Sequence, residues 1–162
     1  SLLSLSSNTS AMKRILLAAA LAPVLCFAEE NLVKDGKMDS STGWSGDRKF
    51  ETVDENRVLV MAAERSRSAK VSTEVNTRNL TDLVISFRYR SSGYDGRGLQ
   101  LRCTRPDRSS TFRSIEIETD DQWHEYTWRF SEVRDAKSIE FSLELFKGTG
   151  AVMIDDVVIV SK

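Results

Sequence analysis

Cysteine and histidine are nearly absent from this 162-residue chain, and their scarcity limits its chemistry. The only histidine is His124, so a histidine-rich metal centre is excluded, and no Ser-His-Asp catalytic set is evident. The two cysteines are Cys26 and Cys103. Cys103 shares the alternation of Leu99 and Leu101, which favours a buried apolar side chain over a reactive thiol.

Signatures of nucleotide and nucleic-acid binding are also missing. The chain has no glycine-rich phosphate loop. Its formal net charge is −1 at pH 7, whereas nucleic-acid-binding domains are typically strongly basic. No segment after residue 28 has the hydrophobic period of an amphipathic helix. These absences predict a β-rich protein without a nucleic-acid partner.

The first 28 residues have the pattern of an upstream segment followed by a secretory signal peptide. Residues 1–11 are polar and serine-rich. A basic Met-Lys-Arg stretch at residues 12–14 precedes an apolar run over residues 15–27. Cys26-Phe27-Ala28 then places small residues at positions −3 and −1 before Glu29. The run is short for a bilayer span, and an N-terminal membrane anchor is the alternative.

Cleavage after Ala28 defines one mature domain over residues 29–162, in a secreted or periplasmic protein. Cys103 is then the only cysteine, so no internal disulfide can form. The apolar core must hold the domain together, and each large side chain contributes about 1.5–3 kcal/mol on burial. No membrane span is expected in the mature chain.

From residue 47 onward, short runs of β-branched and aromatic residues alternate with polar turns. The predicted strands cover residues 49–53, 57–63, 69–75, 82–90, 98–104, 112–118, 124–130, 138–146 and 151–160. Many short strands without a helix indicate a β-sandwich, and their number in this length fits a jelly roll. The predicted fold is therefore an all-β jelly-roll sandwich of two antiparallel sheets, after a cleaved signal helix.

Alternation along these strands separates a core face from a polar face. The core parity carries large apolar side chains, among them Ile85, Phe87, Tyr89, Leu99, Leu101, Ile115, Ile117, Tyr126, Trp128, Phe130, Phe141, Leu143 and Leu145. The opposite parity carries arginine, glutamate and glutamine on several strands. This pattern predicts one continuous polar face on the sandwich.

Three short motifs resemble those of one protein superfamily. The first is Asn31-Leu32, followed by a glycine turn and Gly43-Trp44. The others are Trp123-His124-Glu125-Tyr126 and the closing Ile154-Asp155-Asp156-Val157. In this order, residues 30–161 resemble carbohydrate-binding modules of the galactose-binding-domain-like jelly-roll superfamily, especially families 4, 9 and 22. The resemblance implies a jelly roll that binds an oligo- or polysaccharide on its concave polar sheet, without catalysis.

The resemblance and the polar face together predict a set of sugar-binding residues. Polar side chains can hydrogen-bond sugar hydroxyls, and an aromatic ring can stack on a pyranose. The predicted residues are Arg88, Arg90, Tyr94, Gln100, Arg102, Glu125, Arg129, Glu144 and Phe146. Because the arginine fork matches a carboxylate, an acidic glycan is preferred to a neutral one. The alternative is a solvated sheet of cross-strand ion pairs.

The aromatic residues divide into stacking candidates and core residues. Tyr94 is expected to be exposed in a flexible loop, and Phe146 ends a strand on the polar parity. Trp44 and Trp123 match motif positions that are mainly structural in the superfamily, and Trp128 has the core parity. All three tryptophans are therefore expected in the core.

Asp155 and Asp156 are adjacent in an otherwise apolar strand, so alternation turns one of them towards the protein. A buried carboxylate needs an opposite charge or a metal. The resemblance implies a structural Ca²⁺ between Asp39 and Asp155, with Asp156 as the alternate and backbone carbonyls completing the shell. The alternative is an ion pair with Lys34 or Lys37.

Three functions are therefore open. The first is non-catalytic carbohydrate binding, and the second is a structural or adhesion module that contacts other proteins. The third is a small jelly-roll glycan hydrolase. It is disfavoured because residues 116–120, Glu-Ile-Glu-Thr-Asp, do not match the Glu-x-Asp-x-x-Glu strand of such enzymes.

We expect the exported protein to begin at Glu29. N-terminal sequencing of the protein recovered from the periplasm or the medium checks this. Recovery of a mature chain that retains residues 12–28 would contradict the signal peptide and favour a membrane anchor.

Overall fold

This computed structural model describes residues 29–162 of the chain, which form ten β-strands and contain no helix. The strands are β1 (Ser45–Gly46), β2 (Lys49–Val53), β3 (Asn56–Ala62), β4 (Ala69–Asn76), β5 (Leu83–Ser92), β6 (Leu99–Thr104), β7 (Ser110–Ile115), β8 (His124–Phe130), β9 (Ser138–Leu145) and β10 (Ala151–Ser161). The predicted signal peptide lies outside the described residues. Within them, no helix is available that could cross a membrane.

The strands form two five-stranded antiparallel sheets. Sheet A has the order β1-β4-β9-β6-β7, and sheet B has the order β2-β3-β10-β5-β8. All neighbouring strands within each sheet run antiparallel. The predicted all-β jelly-roll sandwich is confirmed.

Every predicted strand is present, and most bounds agree within two residues. The two-residue β1 is the additional strand, and it is too short to carry an alternation pattern. β7 ends at Ile115 rather than at residue 118. Its partner β6 begins at Leu99, where Ile115 pairs, and Gly98 before it has a φ of 113°. Strand β6 therefore offers no residue with which residues 116–118 could pair.

The core lies between the two sheets, as the alternation predicted. Most side chains of the core parity are almost completely buried, as are Trp44 and Trp128. Ile115, Ile117 and Tyr126, on or after the edge strands β7 and β8, are only half-buried and pack against the margin of the core. Cys103 is fully buried, and desolvation raises the pKa of its thiol to about 12. The thiol is therefore protonated and inert at neutral pH, as expected.

The opening loop is fastened to an irregularity in β10. The pairing of β10 with β5 shifts register after Asp155, and Asp156 has a φ of 49°. Asn31 Nδ2 donates a hydrogen bond to the Val157 carbonyl at 2.9 Å. The same side chain accepts one from the Ile159 amide at 3.0 Å. A bulge leaves backbone groups without a hydrogen-bond partner on the neighbouring strand, and the Asn31 side chain provides that partner.

Gly36 completes this attachment. Its carbonyl accepts a hydrogen bond from the Val157 amide at 2.8 Å. A Cβ at this position would lie 2.0 Å from the Val157 carbonyl oxygen, so only glycine fits. The Asn-Leu…Gly and Asp-Asp motifs therefore act together, as a structural joint between the two ends of the domain.

We predict that Asn31→Ala lowers the free energy of unfolding by about 1–3 kcal/mol, because it leaves bulge groups of β10 without a partner. Urea denaturation measures the change. Gln122→Ala, at an exposed turn position, is the control and should change stability by less than about 0.5 kcal/mol. Equal stabilities for the two variants would contradict the structural role of Asn31.

Candidate functional site

The sequence-predicted polar residues do not share one face, and this prediction is wrong. Four of them lie on sheet B: Arg88 and Arg90 on β5, Glu125 and Arg129 on β8. The others lie on sheet A: Gln100 and Arg102 on β6, Glu144 on β9, and Phe146 directly after β9. Alternation tells which side of its own sheet a residue occupies, but not to which sheet its strand belongs.

On sheet B, Arg88 neutralises the buried acid of the closing strand. Its Nη2 lies 2.6 Å from Oδ2 of Asp155, which is 3% exposed, and the two residues are cross-strand partners. Its Nε lies 2.9 Å from Oδ2 of Asp156, without hydrogen-bond geometry. The guanidinium also lies 5.1 Å from the ring centroid of Trp123. Trp123 is therefore half-buried beside Arg88, and the prediction that it lies in the core is wrong. The predicted structural partner therefore exists, and it is an arginine instead of Lys34 or Lys37.

Arg90 forms ion pairs with two acidic residues in neighbouring turns. It makes a bidentate contact with Asp121, at 2.9 and 3.2 Å, and donates a third hydrogen bond to Asp54 at 3.0 Å. The Arg90 hydrogen bonds hold the pKa of Asp121 below its usual value. For Arg88 and Arg90, the ion-pair interpretation thus describes the structure. Glu125 and Arg129 remain exposed on edge strand β8.

The residues proposed for calcium do not form a suitable donor set. The Asp155 carboxylate accepts from Arg88 and, at 2.8 Å, from the Asp156 amide. Asp39 is exposed, and its carbonyl accepts a hydrogen bond from Arg57. Within residues 29–162, no three histidine, cysteine or acidic residues are placed to hold a metal. Calcium requires six to eight oxygens, and here a guanidinium takes the position beside Asp155.

Tyr94 is buried rather than exposed, so it cannot stack on a sugar. Its side chain is 4% exposed, and its hydroxyl lies 3.0 Å from the carbonyls of Gly98 and Phe146. The same hydroxyl accepts a hydrogen bond from the Gly98 amide at 3.1 Å. The glycines around Tyr94 suggested an open loop, but this ring closes the end of the core.

The outer face of sheet A carries the remaining predicted residues in ordered cross-strand rows. In the central row, Arg102 pairs with Ser142 on one side and with Phe112 on the other. In the adjacent row, Gln100 lies between Glu144 and Ser114. Paired residues project from the same side of a sheet, so these side chains form one surface. We call it the sheet A face.

Phe112 is the functional candidate that the sequence analysis missed. It is 58% exposed, and it is the one large hydrophobic residue of the described part that stands open to solvent. The Arg102 guanidinium lies 5.6 Å from its ring centroid. A signal was present, because Phe112 shares the parity of Ser110 and Ser114 in an otherwise polar run. A lone aromatic with that parity faces solvent.

Hydrogen bonds fix the polar groups beside this ring. Arg102 Nη2 donates to Gln100 Oε1 at 2.6 Å, and Nη1 donates to Ser110 Oγ at 3.3 Å. Gln100 Nε2 lies 3.4 Å from Ser114 Oγ. Donors and acceptors next to Phe112 are therefore held in place before any ligand arrives.

A groove continues the sheet A face past the row of Glu74, Glu140 and Thr104. Its volume is about 670 Å³. The lining is mostly polar and comprises Lys34, Gly43, Trp44, Ser45, Ser72, Thr73, Glu74, Thr104, Arg105, Pro106, Ser138, Ile139 and Glu140. The face and the groove together form an extended surface with one exposed ring and many hydrogen-bonding groups.

Comparison with known proteins finds matches among solved structures. No family model and no curated protein matches the chain. The structure of TmCBM61 in complex with β-1,4-galactotriose is 18% identical at a TM-score of 0.59, covering 83% of this chain and 100% of that one. The CBM22-1 xylan-binding domain of Paenibacillus barcinonensis Xyn10C has the same identity and TM-score, covering 83% and 96%.

The domain has the jelly-roll fold of carbohydrate-binding modules. Modules of families 4, 16 and 11 are further structural neighbours with this fold. The enzymatically active domain of bacteriophage CBA120 tailspike protein 4 also matches, at 10% identity and a TM-score of 0.63. This chain covers only 21% of that one, so the jelly-roll fold there is part of a much larger protein.

We predict that the domain's stability depends on Arg88 and not on calcium. Arg88→Ala leaves the Asp155 carboxylate buried without its counter-charge and should lower the free energy of unfolding by about 3 kcal/mol. Excess EDTA should leave the melting temperature of the unaltered protein unchanged. Urea and thermal denaturation measure the two effects.

Arg129→Ala is the matched control for this prediction, because Arg129 lies exposed on the adjacent strand of the same sheet. It should change stability by less than about 1 kcal/mol. A melting temperature that falls with EDTA and recovers with Ca²⁺ would contradict our account and support the metal that the motif resemblance implies.

Proposed function

We propose that the sheet A face binds a carbohydrate and that the domain performs no reaction on it. Phe112 carries the proposal, because a 58% exposed ring is held beside the Arg102 guanidinium on an otherwise polar sheet. Sugar recognition combines an apolar surface for the ring carbons with fixed donors and acceptors for the hydroxyls. Phe112 offers the first, and Arg102 and Ser114 offer the second, while the buried Gln100 side chain bonds to both of them and holds them in place.

The fold supports this assignment, since solved structures with the same jelly roll include modules described with bound galactotriose or as xylan-binding. The exposed ring sets where a sugar can lie. From Phe112 and Arg102 the sheet A face continues in two directions, past Thr104 and Glu140 to the groove and past Gln100 and Glu144 to the other end of the strands.

At the Phe112 end, the charges favour neutral sugar units. The acidic-glycan preference rested on four arginines that share a face, and three of them lie on sheet B. Arg102 is flanked in the neighbouring rows by Glu144 and Glu140, with Glu74 directly opposite Glu140. These carboxylates accept hydrogen bonds from hydroxyls but repel an anion.

We propose a non-catalytic function because the two glutamates that line the groove are both exposed to solvent. Glu74 and Glu140 are cross-strand partners and are the carboxylates that line it. Both are exposed, and Glu140 is engaged by Lys70 at 3.3 Å. A glycosidase pair needs one carboxyl group in an apolar environment so that it can act as an acid. Neither glutamate has such an environment.

A protein-contact function is the second candidate, and the position of Phe112 favours it. Phe112 lies on β7, which is the edge strand of sheet A. Edge strands offer unpaired backbone groups, and an exposed aromatic residue can anchor a protein interface. Glycan titration separates the two candidates.

We predict that Phe112→Ala weakens binding of a neutral oligosaccharide about tenfold, because the stacking surface is lost. Isothermal titration with β-1,4-galactotriose, xylohexaose and cellohexaose provides the affinities. Thermal stability should be nearly unchanged, since the side chain is largely exposed.

Arg129→Ala on the outer face of sheet B is the control and should retain full affinity. Release of reducing ends from any of these substrates would contradict the non-catalytic assignment. If the unaltered protein binds none of them at millimolar concentration, the carbohydrate proposal fails and the protein-contact function takes its place.

A further inference from the structure

A small pocket lies at the end of the sheet A face farthest from the groove. It has a volume of about 340 Å³ and is lined by Ser68, Arg97, Phe146 and Lys147. Ser68 precedes β4 and Phe146 follows β9, where Ala69 and Leu145 are cross-strand partners. The pocket therefore continues the sheet A face by one row beyond Glu144 and Gln100.

Two basic side chains that form no ion pair within the described residues border this pocket. Arg97 and Lys147 are both exposed, and within residues 29–162 neither takes part in an ion pair. Nearby Arg67, by contrast, is bound to Asp47 and Glu64. The pocket therefore offers two free positive charges, a serine hydroxyl and an aromatic side chain.

The loops that carry these cations are fixed to each other. The buried Tyr94 hydroxyl contacts the carbonyl groups of Gly98 and Phe146, which belong to the two different loops. Asp95 accepts hydrogen bonds from the amide and the hydroxyl of Thr149, at 2.6 and 2.9 Å. Arg97 and Lys147 are thus presented from a braced framework, which reduces the ordering cost of ligand binding.

Gly96 shows how closely the two loops approach. A Cβ on Gly96 would lie 2.2 Å from the Tyr94 hydroxyl and 2.5 Å from the Lys147 carbonyl oxygen. A larger residue would separate the loops. Tyr94, which the sequence suggested as a sugar-stacking residue, thereby acts as the support beneath this pocket.

We propose that this pocket is an anion subsite that binds a carboxylate or sulfate group on a glycan. The inference rests on the proposed function, because the rest of the glycan lies on the sheet A face. Arginine and lysine are the side chains that recognise such groups through charge-assisted hydrogen bonds. Two acids are close to the pocket. Glu144 is one row away, roughly 7 Å along β9, and Asp95 precedes Arg97 by two residues but has its carboxylate bound to the amide and hydroxyl of Thr149.

The central row at Phe112 and the pocket therefore select different parts of one ligand. Phe112 and Phe146 are separated by two rows along the strands and two strands across the sheet, roughly 16 Å in all. A ligand that reaches both must be an oligosaccharide. Its anionic unit would occupy the Arg97 end, and neutral units would lie by Phe112.

Isothermal titration with three tetrasaccharides tests the subsite: a neutral one from agarose, a sulfated one from carrageenan, and xylotriose that carries a single glucuronate. We expect at least one anionic probe to bind the unaltered protein about tenfold more tightly than the neutral one. The advantage should shrink as NaCl rises from about 0.05 to 0.5 M, because salt screens exposed charges. The preferred probe distinguishes sulfate from carboxylate.

The double variant Arg97→Gln/Lys147→Gln should lose this advantage and keep its affinity for the neutral probe. Arg129→Gln/Lys37→Gln removes the same charge from two exposed positions away from the pocket and should keep the advantage. An equal loss in both double variants would reduce the effect to net charge and overturn the subsite.

The subsite and the proposed function fail in distinguishable ways. If the neutral probe binds, Phe112→Ala weakens it, and the anionic probes bind no more tightly, the subsite alone is wrong. If the unaltered protein binds no probe, both the subsite and the carbohydrate function are overturned.

Discussion

The buried carboxylate of Asp155 is the constraint on which the rest of the domain depends. It lies in β10, the central strand of sheet B, where an uncompensated charge would cost several kcal/mol. Arg88, on the adjacent strand, supplies the opposite charge at 2.6 Å. The register shift after Asp155 turns the Val157 backbone towards Asn31 and Gly36. The opening loop thus docks where the acid has been neutralised.

This arrangement gives the two outer faces of the sandwich different properties. On sheet B, Arg88 and Arg90 are bound to carboxylates of the protein itself, so little of their hydrogen-bonding capacity remains for a ligand. On sheet A, Arg102 contacts neutral partners and an exposed ring. Phe112 projects from the outer side of edge strand β7, away from the core between the sheets. Beside Phe112, the polar groups are ordered but not paired with opposite charges, and such a surface is suited to an external ligand.

The sequence predicted the strands well, because alternation and turn residues are local signals. It also predicted that an acid of the closing strand has a structural partner. It could not identify Arg88 as that partner, since residues 88 and 155 become neighbours only through the order of strands in sheet B. The same limitation placed the polar residues on one face. Tyr94 was misjudged because its hydrogen bonds join two loops distant in the sequence.

In our proposal, the outer face of sheet A, rather than that of sheet B, binds the ligand. Backbone amide chemical shifts measured by NMR during titration with a neutral tetrasaccharide test it most directly. Our account predicts that the largest changes cluster at Gln100, Arg102 and Phe112, while those at Arg88 and Arg129 stay small. The largest changes on β5 and β8, or none at saturating concentrations, would contradict it.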